Sequence, residues 1–352
     1  MKMVRVKASR SYNVLIGAGL LSRCGELISQ VSDPGTAAIV TDDIVSSMYA
    51  DTVEKSLAGA GWRVVKFIFP NGETSKNMAV LSDVLEFLAG EELTKTDLVV
   101  ALGGGVAGDL AGFAAACFKR GVPSAQIPTT FLAAIDSSVG GKTAVNLAAG
   151  KNLAGAFYQP RLVICDTDVI SALPPGLFSE GLAEAIKYGV ISDPMLFERL
   201  SAGNPRAGLE DTIYRCVLSK AEIVGKDEFD GGLRQLLNFG HTAGHAIEKS
   251  SNFTVSHGHA VSMGMVIAAR AALSLGLSYE DCLSPILKAL NNNGLPVSCP
   301  YSAEELTAAA MSDKKRSGGR INLVIPLRIG QCHIHKIDVS ELPGFIAAGL
   351  GD

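Results

Sequence analysis

A chain of 352 residues, 47% hydrophobic and 19% charged, is too long for one small core and has the composition of a folded α/β protein, which excludes a disordered or fibrous chain. A formal net charge of −4 excludes a general nucleic-acid surface and confines any basic substrate site to a local pocket. The seven cysteines are scattered without a CxxC pair, Met1 to Arg10 lacks the apolar core of a signal peptide, and no stretch of about eighteen membrane-grade residues follows. The expectation is a reduced, soluble, cytoplasmic protein with no nucleic-acid or membrane partner.

In chain order, VRVKASRSYNVLIG from Val4 reads as an antiparallel hairpin. The β-rich runs AAIV from Ala37, WRVVKFIF from Trp62, DLVVAL from Asp97, AQIP from Ala125 and LVICD from Leu162 alternate with helical periods near 44–60 and 77–89. That alternation predicts a mostly parallel sheet with crossover helices. After Pro174 and Pro175 the pattern turns helical, apart from a short INLVIP from Ile321. The expected organisation is an α/β N-terminal domain over 1–174 and an all-α C-terminal domain over 175–352.

DLVVAL runs into Gly103, Gly104 and Gly105, and a helix opens at VAGDLAGFAAACF with Asp109 in its early turns. Residues without a Cβ let backbone approach a pyrophosphate, and the helix N-terminus supplies amides; a tight structural turn explains the glycines equally well. Asp42 stands after AAIVT, and NGETSK places Glu73 and Lys76 after another strand. All three features fall at carboxyl ends of strands, where open α/β sheets bind ligands. GGKT at Gly140 resembles a P-loop tail, but Asp136 stands where that loop needs its first glycine.

Four of the six histidines, His241, His245, His257 and His259, fall within nineteen residues. The i, i+4 spacing of His241 and His245 puts both rings on one helix face. Two imidazoles and a carboxylate make a catalytic zinc site with open positions. GLAEAIKYG offers Glu184 with Lys187 three residues on, and spacing alone does not choose Glu184 over Glu180 or Glu222.

Taken together, ALGGGVAGDLAGFAAA, RGVPSAQIPTTFLAAIDSSVGGKTAVN, GKNLAGAFYQP, GLAEAIKYG, GLRQLLNFGHTAGHAIE, HGHAVSMGM and DKK occur in the order of the 3-dehydroquinate synthase family, and the chain resembles that family over nearly its whole length. The resemblance implies a Rossmann-like N-terminal domain, a helical metal-binding C-terminal domain, NAD, one divalent metal (zinc or cobalt) and a homodimer. It implies that Glu184, His241 and His257 are metal ligands, which makes His245 an active-site group and overrules the simple i, i+4 reading. Asp42, Glu73, Lys76, Gly104, Gly105, Val106, Asp109, Thr129 and Thr130 fall on NAD-contact positions, joined by Lys142 and Lys151. Lys142, Asn152, Asn238, His245 and a lysine of the DKK loop (Lys314 or Lys315) suit the substrate phosphate, Lys220 and Arg234 its carboxylate. Arg120 matches a residue delivered from the partner subunit, and Asp136 and Lys187 match further pocket positions.

The implied reaction is a phosphate-eliminating lyase that converts 3-deoxy-D-arabino-heptulosonate 7-phosphate to 3-dehydroquinate. Bound NAD removes a hydride, phosphate leaves, the hydride returns, and ring opening with an intramolecular aldol step closes the carbocycle. The sequence departs from the family pattern in three places. HGH at His257 replaces HGE, which makes His259 an extra possible ligand; Gly176 and Leu177 stand where an Arg-Glu pair is common; and Ala172 replaces a frequent threonine. Weaker cofactor binding is the expected consequence. The rival readings are a sister sugar-phosphate cyclase, including one with an aminated acid substrate, and a metal-dependent polyol dehydrogenase. Neutral substrates would leave Lys220 and Arg234 as unpaired buried cations, which favours the acid.

Overall fold

Most of the strand runs of the first half are apolar on both faces, as strands covered by helices on each side must be. In the computed structural model, which describes residues 1–314 and 319–351 without the side chains of 312–314, they form one seven-stranded sheet. The strands come in chain order as β1 (Lys2–Val6), β2 (Tyr12–Gly17), β3 (Thr36–Asp42), β4 (Arg63–Phe69), β5 (Leu98–Gly103), β6 (Ser124–Pro128), a separate hairpin of β7 (Lys142–Leu147) and β8 (Gly150–Phe157), then β9 (Leu162–Asp166). Sheet order is β1-β2-β9-β6-β5-β3-β4, with β1 antiparallel to β2 and every other neighbouring pair parallel. Ile39, Val100, Leu102 and Ile164 pack on Leu27, Leu57 and Trp62 on one face, and Val40, Val99 and Ala101 on Val84, Leu88 and Leu110 on the other.

The chain divides into two compact units, Met1–Leu173 with Lys220–Phe229, and Pro174–Ser219 with Asp230–Asp352. The later segment belongs to the first unit because its side chains bond there. Lys220 Nζ donates to Asp136 O (2.6 Å) and Oδ1 (2.8 Å), and Glu228 accepts from Ser9 N and Oγ, both at 2.6 Å, and from Gln159 Nε2 at 2.9 Å.

The second unit is helical. The double proline starts a helix over Pro175–Ser192 with Pro175 in its first turn, where a missing N–H costs nothing. Asp193 ends that helix and caps the next, Pro194–Ser201, by accepting from Leu196 N at 3.0 Å. The INLVIP run becomes β10 (Arg320–Arg328) and pairs antiparallel with β11 (Gln331–Asp338), so this unit carries one hairpin among its helices. Among the described residues, no helix is long and apolar enough to cross a membrane.

The helices His241–Ser250 and His257–Ser274 touch through glycines. Gly240, at φ 80, takes the left-handed turn into the first of them, and a Cβ there would meet Met265 Cγ at 2.8 Å. A Cβ on Gly264 would come within 2.8 Å of Gly244 N and closer still to Gly240 O. Gly264→Ala is therefore expected to force these helices apart and destabilise the protein by about 1–3 kcal/mol, read as a lowered denaturation midpoint. A midpoint equal to wild type would mean that the contact yields.

Candidate active site

Glu184 sits in the middle of the Pro175–Ser192 helix, where every residue from Gly181 to Ile191 is buried. A buried carboxylate needs compensation, and Lys187, one turn on and also buried, forms an ion pair with it. The glycine-mediated helix contact brings two rings to the same carboxylate. His241 Nε2 lies 3.5 Å and His257 Nε2 3.4 Å from Glu184 Oε1. Of the glutamates left open by spacing, Glu184 is the one gathered with the two histidines, and Glu222 is exposed.

The far nitrogens of both rings are tied. His241 Nδ1 pairs with Phe239 O at 3.1 Å, and His257 Nδ1 with the buried Glu248 carboxylate, also at 3.1 Å. Donation from each Nδ1–H is the arrangement that orients zinc-binding imidazoles, with Nε2 offering its lone pair once that nitrogen carries no proton. Donors about 2.1 Å from a tetrahedral zinc stand roughly 3.4 Å apart, so the observed spacing fits a divalent cation. His245, Glu248 and His257 form a second trio of comparable spacing, but there His257 faces Glu248 with Nδ1. Glu248 was missed in the sequence although it stands seven residues after His241, on the same helical face.

Burial drives the His241 imidazolium down to about 3 against the attraction of Glu184. Burial also disfavours charge on His257, but hydrogen bonds to Glu184 and Glu248 outweigh it and push that imidazole up to about 10. His245 is exposed, with its ring 5.4 Å from that of His241 and 5.9 Å from that of His257. His259, the extra histidine, turns to Ser179, with Nε2 3.1 Å from its hydroxyl, and Ser179 donates onward to Gly176 O at 2.7 Å. It is not among the residues gathered around Glu184.

In the other unit, β5 ends at Gly103 and a helix runs over Gly105–Cys117. Thr129 N donates to Gly103 O at 3.0 Å, and a Cβ on Gly103, at φ 153, would meet Ala107 Cβ at 2.7 Å, so the turn requires glycine there, while a Cβ on Gly104 would press on Thr130 Cγ2 at 3.1 Å. Val106 lies in the first turn of the helix. Asp42 Oδ1 accepts from Val45 N at 2.8 Å, and its Oδ2 lies near Gly103. Lys76 Nζ pairs with Asp109 Oδ2 at 2.5 Å and donates to Asn152 Oδ1 at 2.6 Å. Burial pushes the Asp109 carboxyl up to about 6, with Lys76 opposing. These glycines, amides and carboxylates at the carboxyl ends of parallel strands fit a dinucleotide.

Lys142 and Lys151 are exposed on the β7–β8 hairpin, and Glu73 is exposed on the loop after β4. Lys220 is engaged by Asp136, so two positions expected near substrate are found together. In the second unit, Arg234 is buried and Asn238 exposed, just ahead of the His241 helix. Arg120 is exposed in a turn at φ 61. The Lys314 side chain and Lys315 lie outside the described residues. Leu177 is exposed and a Cβ on Gly176 would meet open space, so neither rebuilds a charged contact at the family's Arg-Glu positions.

The N-terminal model of 3-dehydroquinate synthase matches residues 66–180 and the C-terminal model matches residues 181–316. The 3-dehydroquinate synthase of Streptococcus suis is 41% identical over 353 residues, covering 98% of this chain and 99% of the relative. A solved 2-deoxy-scyllo-inosose synthase, in complex with carbaglucose-6-phosphate, NAD+ and Co2+, superposes with a TM-score of 0.89 at 26% identity, over 98% of this chain and 99% of its own. A 2-epi-5-epi-valiolone synthase from Streptomyces hygroscopicus subsp. jinggangensis 5008, with NAD+ and Zn2+ bound, gives 0.87 at 26% identity, over 100% of this chain and 99% of its own.

Cation binding at neutral pH must displace the His257 proton, since the His241 imidazole is already neutral. About one proton is expected to be released per zinc bound, with apparent affinity rising roughly tenfold per pH unit between about 5 and 9. Calorimetry in buffers of different ionisation enthalpy measures this directly. Release near zero would show that His257 is neutral before the metal arrives.

Proposed function

The chain belongs to the 3-dehydroquinate synthase family, and from that premise we propose that it converts 3-deoxy-D-arabino-heptulosonate 7-phosphate to 3-dehydroquinate and inorganic phosphate. The observation that carries the reading is the Glu184, His241 and His257 donor set, spaced for one divalent cation. When bound, NAD supplies reversible hydride acceptance and the cation supplies Lewis acidity toward adjacent substrate oxygens.

The chain's own residues bind, orient and manage protons. Lys142, Asn152, Asn238, His245 and Lys314 are assigned to the phosphate, and Lys220 with Arg234 to the carboxylate. Asp42, Glu73, Lys76, Gly104, Gly105, Val106, Asp109, Thr129, Thr130 and Lys151 are assigned to the cofactor, with Lys142 shared and Asp136 holding Lys220 in place. His245 and Lys187 are the groups assigned to move protons. His245 stands exposed beside the donor set with the side chain best suited to proton transfer, and Lys187 sits beside Glu184. Two basic sites for two acidic groups on one substrate favour this acid over neutral sugar phosphates. The reaction is a net elimination, so the enzyme is a lyase. It is proposed to work in the cytoplasm, with zinc or cobalt, as a homodimer in which Arg120 serves the partner's site.

The test is incubation of zinc-loaded protein with this substrate and catalytic NAD, following phosphate, carbocycle and NADH together. Equal phosphate and 3-dehydroquinate with no net NADH is expected, and chelation should abolish turnover until zinc or cobalt is restored. Stoichiometric NADH would instead indicate a polyol dehydrogenase. Phosphate release only from neutral sugar phosphates would indicate a sister cyclase.

A further inference from the structure

One residue with no role above joins two groups of assigned contacts. Asn146 lies between Val145, which pairs with Ala154, and Leu147, which pairs with Gly150, at a register shift in the β7–β8 ladder. Such a shift frees a residue from its own sheet and re-aims its side chain. Asn146 N donates to Lys76 O at 2.8 Å, and Asn146 bridges in parallel to Asn77.

Its amide reaches both ways. Nδ2 donates to Glu73 Oε1 at 2.7 Å, and Oδ1 accepts from Asn152 N at 2.9 Å. Asn152 is held at φ 56, a left-handed conformation that asparagine tolerates better than most residues. Its own Oδ1 accepts from Lys76 Nζ, at 2.6 Å. With the carbonyl end of Asn152 on the ammonium, its Nδ2 is the end that can donate to an acceptor such as an anion. A closed circuit results, running from Asn146 to Asn152, from Asn152 to Lys76, and from Lys76 through its backbone carbonyl to Asn146.

We propose that Asn146 is a positioning residue that locks the Glu73–Lys76 loop to Asn152, so that NAD and a phosphate-bearing substrate bind cooperatively. The proposal rests on the reading above of Glu73 and Lys76 as cofactor contacts and Asn152 as a phosphate contact. An asparagine that only stitched the hairpin would affect stability and leave the two affinities uncoupled.

The experiment measures, in zinc-loaded protein, the Kd for NAD and the Kd for inorganic phosphate with and without saturating NAD. The ratio of the two phosphate constants is the coupling. Wild type is expected to bind phosphate about fivefold more tightly with NAD present, and Asn146→Ala to bring the ratio to about one while weakening both ligands. Asn146→Asp keeps the acceptor for Asn152 N but turns a carboxylate toward Glu73. It is expected to lose NAD affinity, to retain most phosphate affinity, and to lose the coupling. If the alanine variant melts below the assay temperature, the aspartate variant decides. An unchanged ratio in the folded variants, or a wild-type ratio of one, overturns the proposal. A wild type that binds no NAD overturns the underlying functional reading instead.

Discussion

The second unit is organised around one carboxylate that has been taken out of water. Glu184 lies in the buried middle of its helix, so its charge must be answered from within the protein. Lys187 answers from the same helix and two imidazoles from two others. Those imidazoles arrive only because the two helices meet through Gly240, Gly244 and Gly264, with no side chain between them. The residues after the double proline serve packing and chemistry together, which explains why a segment that looks like an ordinary helix, GLAEAIKYG, carries two charges in its centre.

The first unit meets a different constraint. Its parallel strands end in polar loops with nothing apolar left to bury, and side chains hold those loops in place: Asp42 caps the turn after β3, Lys76 bridges Asp109 and Asn152, and Lys220 reaches Asp136. A preformed arrangement of this kind lowers the ordering cost of binding a charged ligand.

The central sheet was readable because β3, β5, β6 and β9 are buried along nearly their whole length and appear as largely apolar runs. The β7–β8 hairpin was not, since GKTAVNLAAGKNLAGAF is rich in glycine and alanine and half exposed, with neither strict alternation nor an apolar run. INLVIP announced β10, whereas β11, with His333 and His335 alternating with Cys332 and Ile334, looked polar. At the site, histidine density pointed to the right segment, but helical spacing favoured His241 with His245. The pairing of His241 with His257 across two helices depends on the glycine contacts, which spacing within one helix cannot reveal. Asn146 gave no signal, because a register shift in a hairpin is invisible until the strands are paired.

The hydrogen bond between His257 and Glu248 affects how the site is charged. With the imidazole near 10, the cation-free centre carries an imidazolium beside Glu184 and Glu248, with Glu180 also acting on it. The proton thus acts as a placeholder that lets the helices assemble before any metal is present. Exchanging it for a divalent ion raises the charge of the centre by one. Metal loading therefore makes this point more attractive to anions although the chain as a whole is acidic, so occupancy of the metal site would itself tune how strongly an acidic ligand is drawn in.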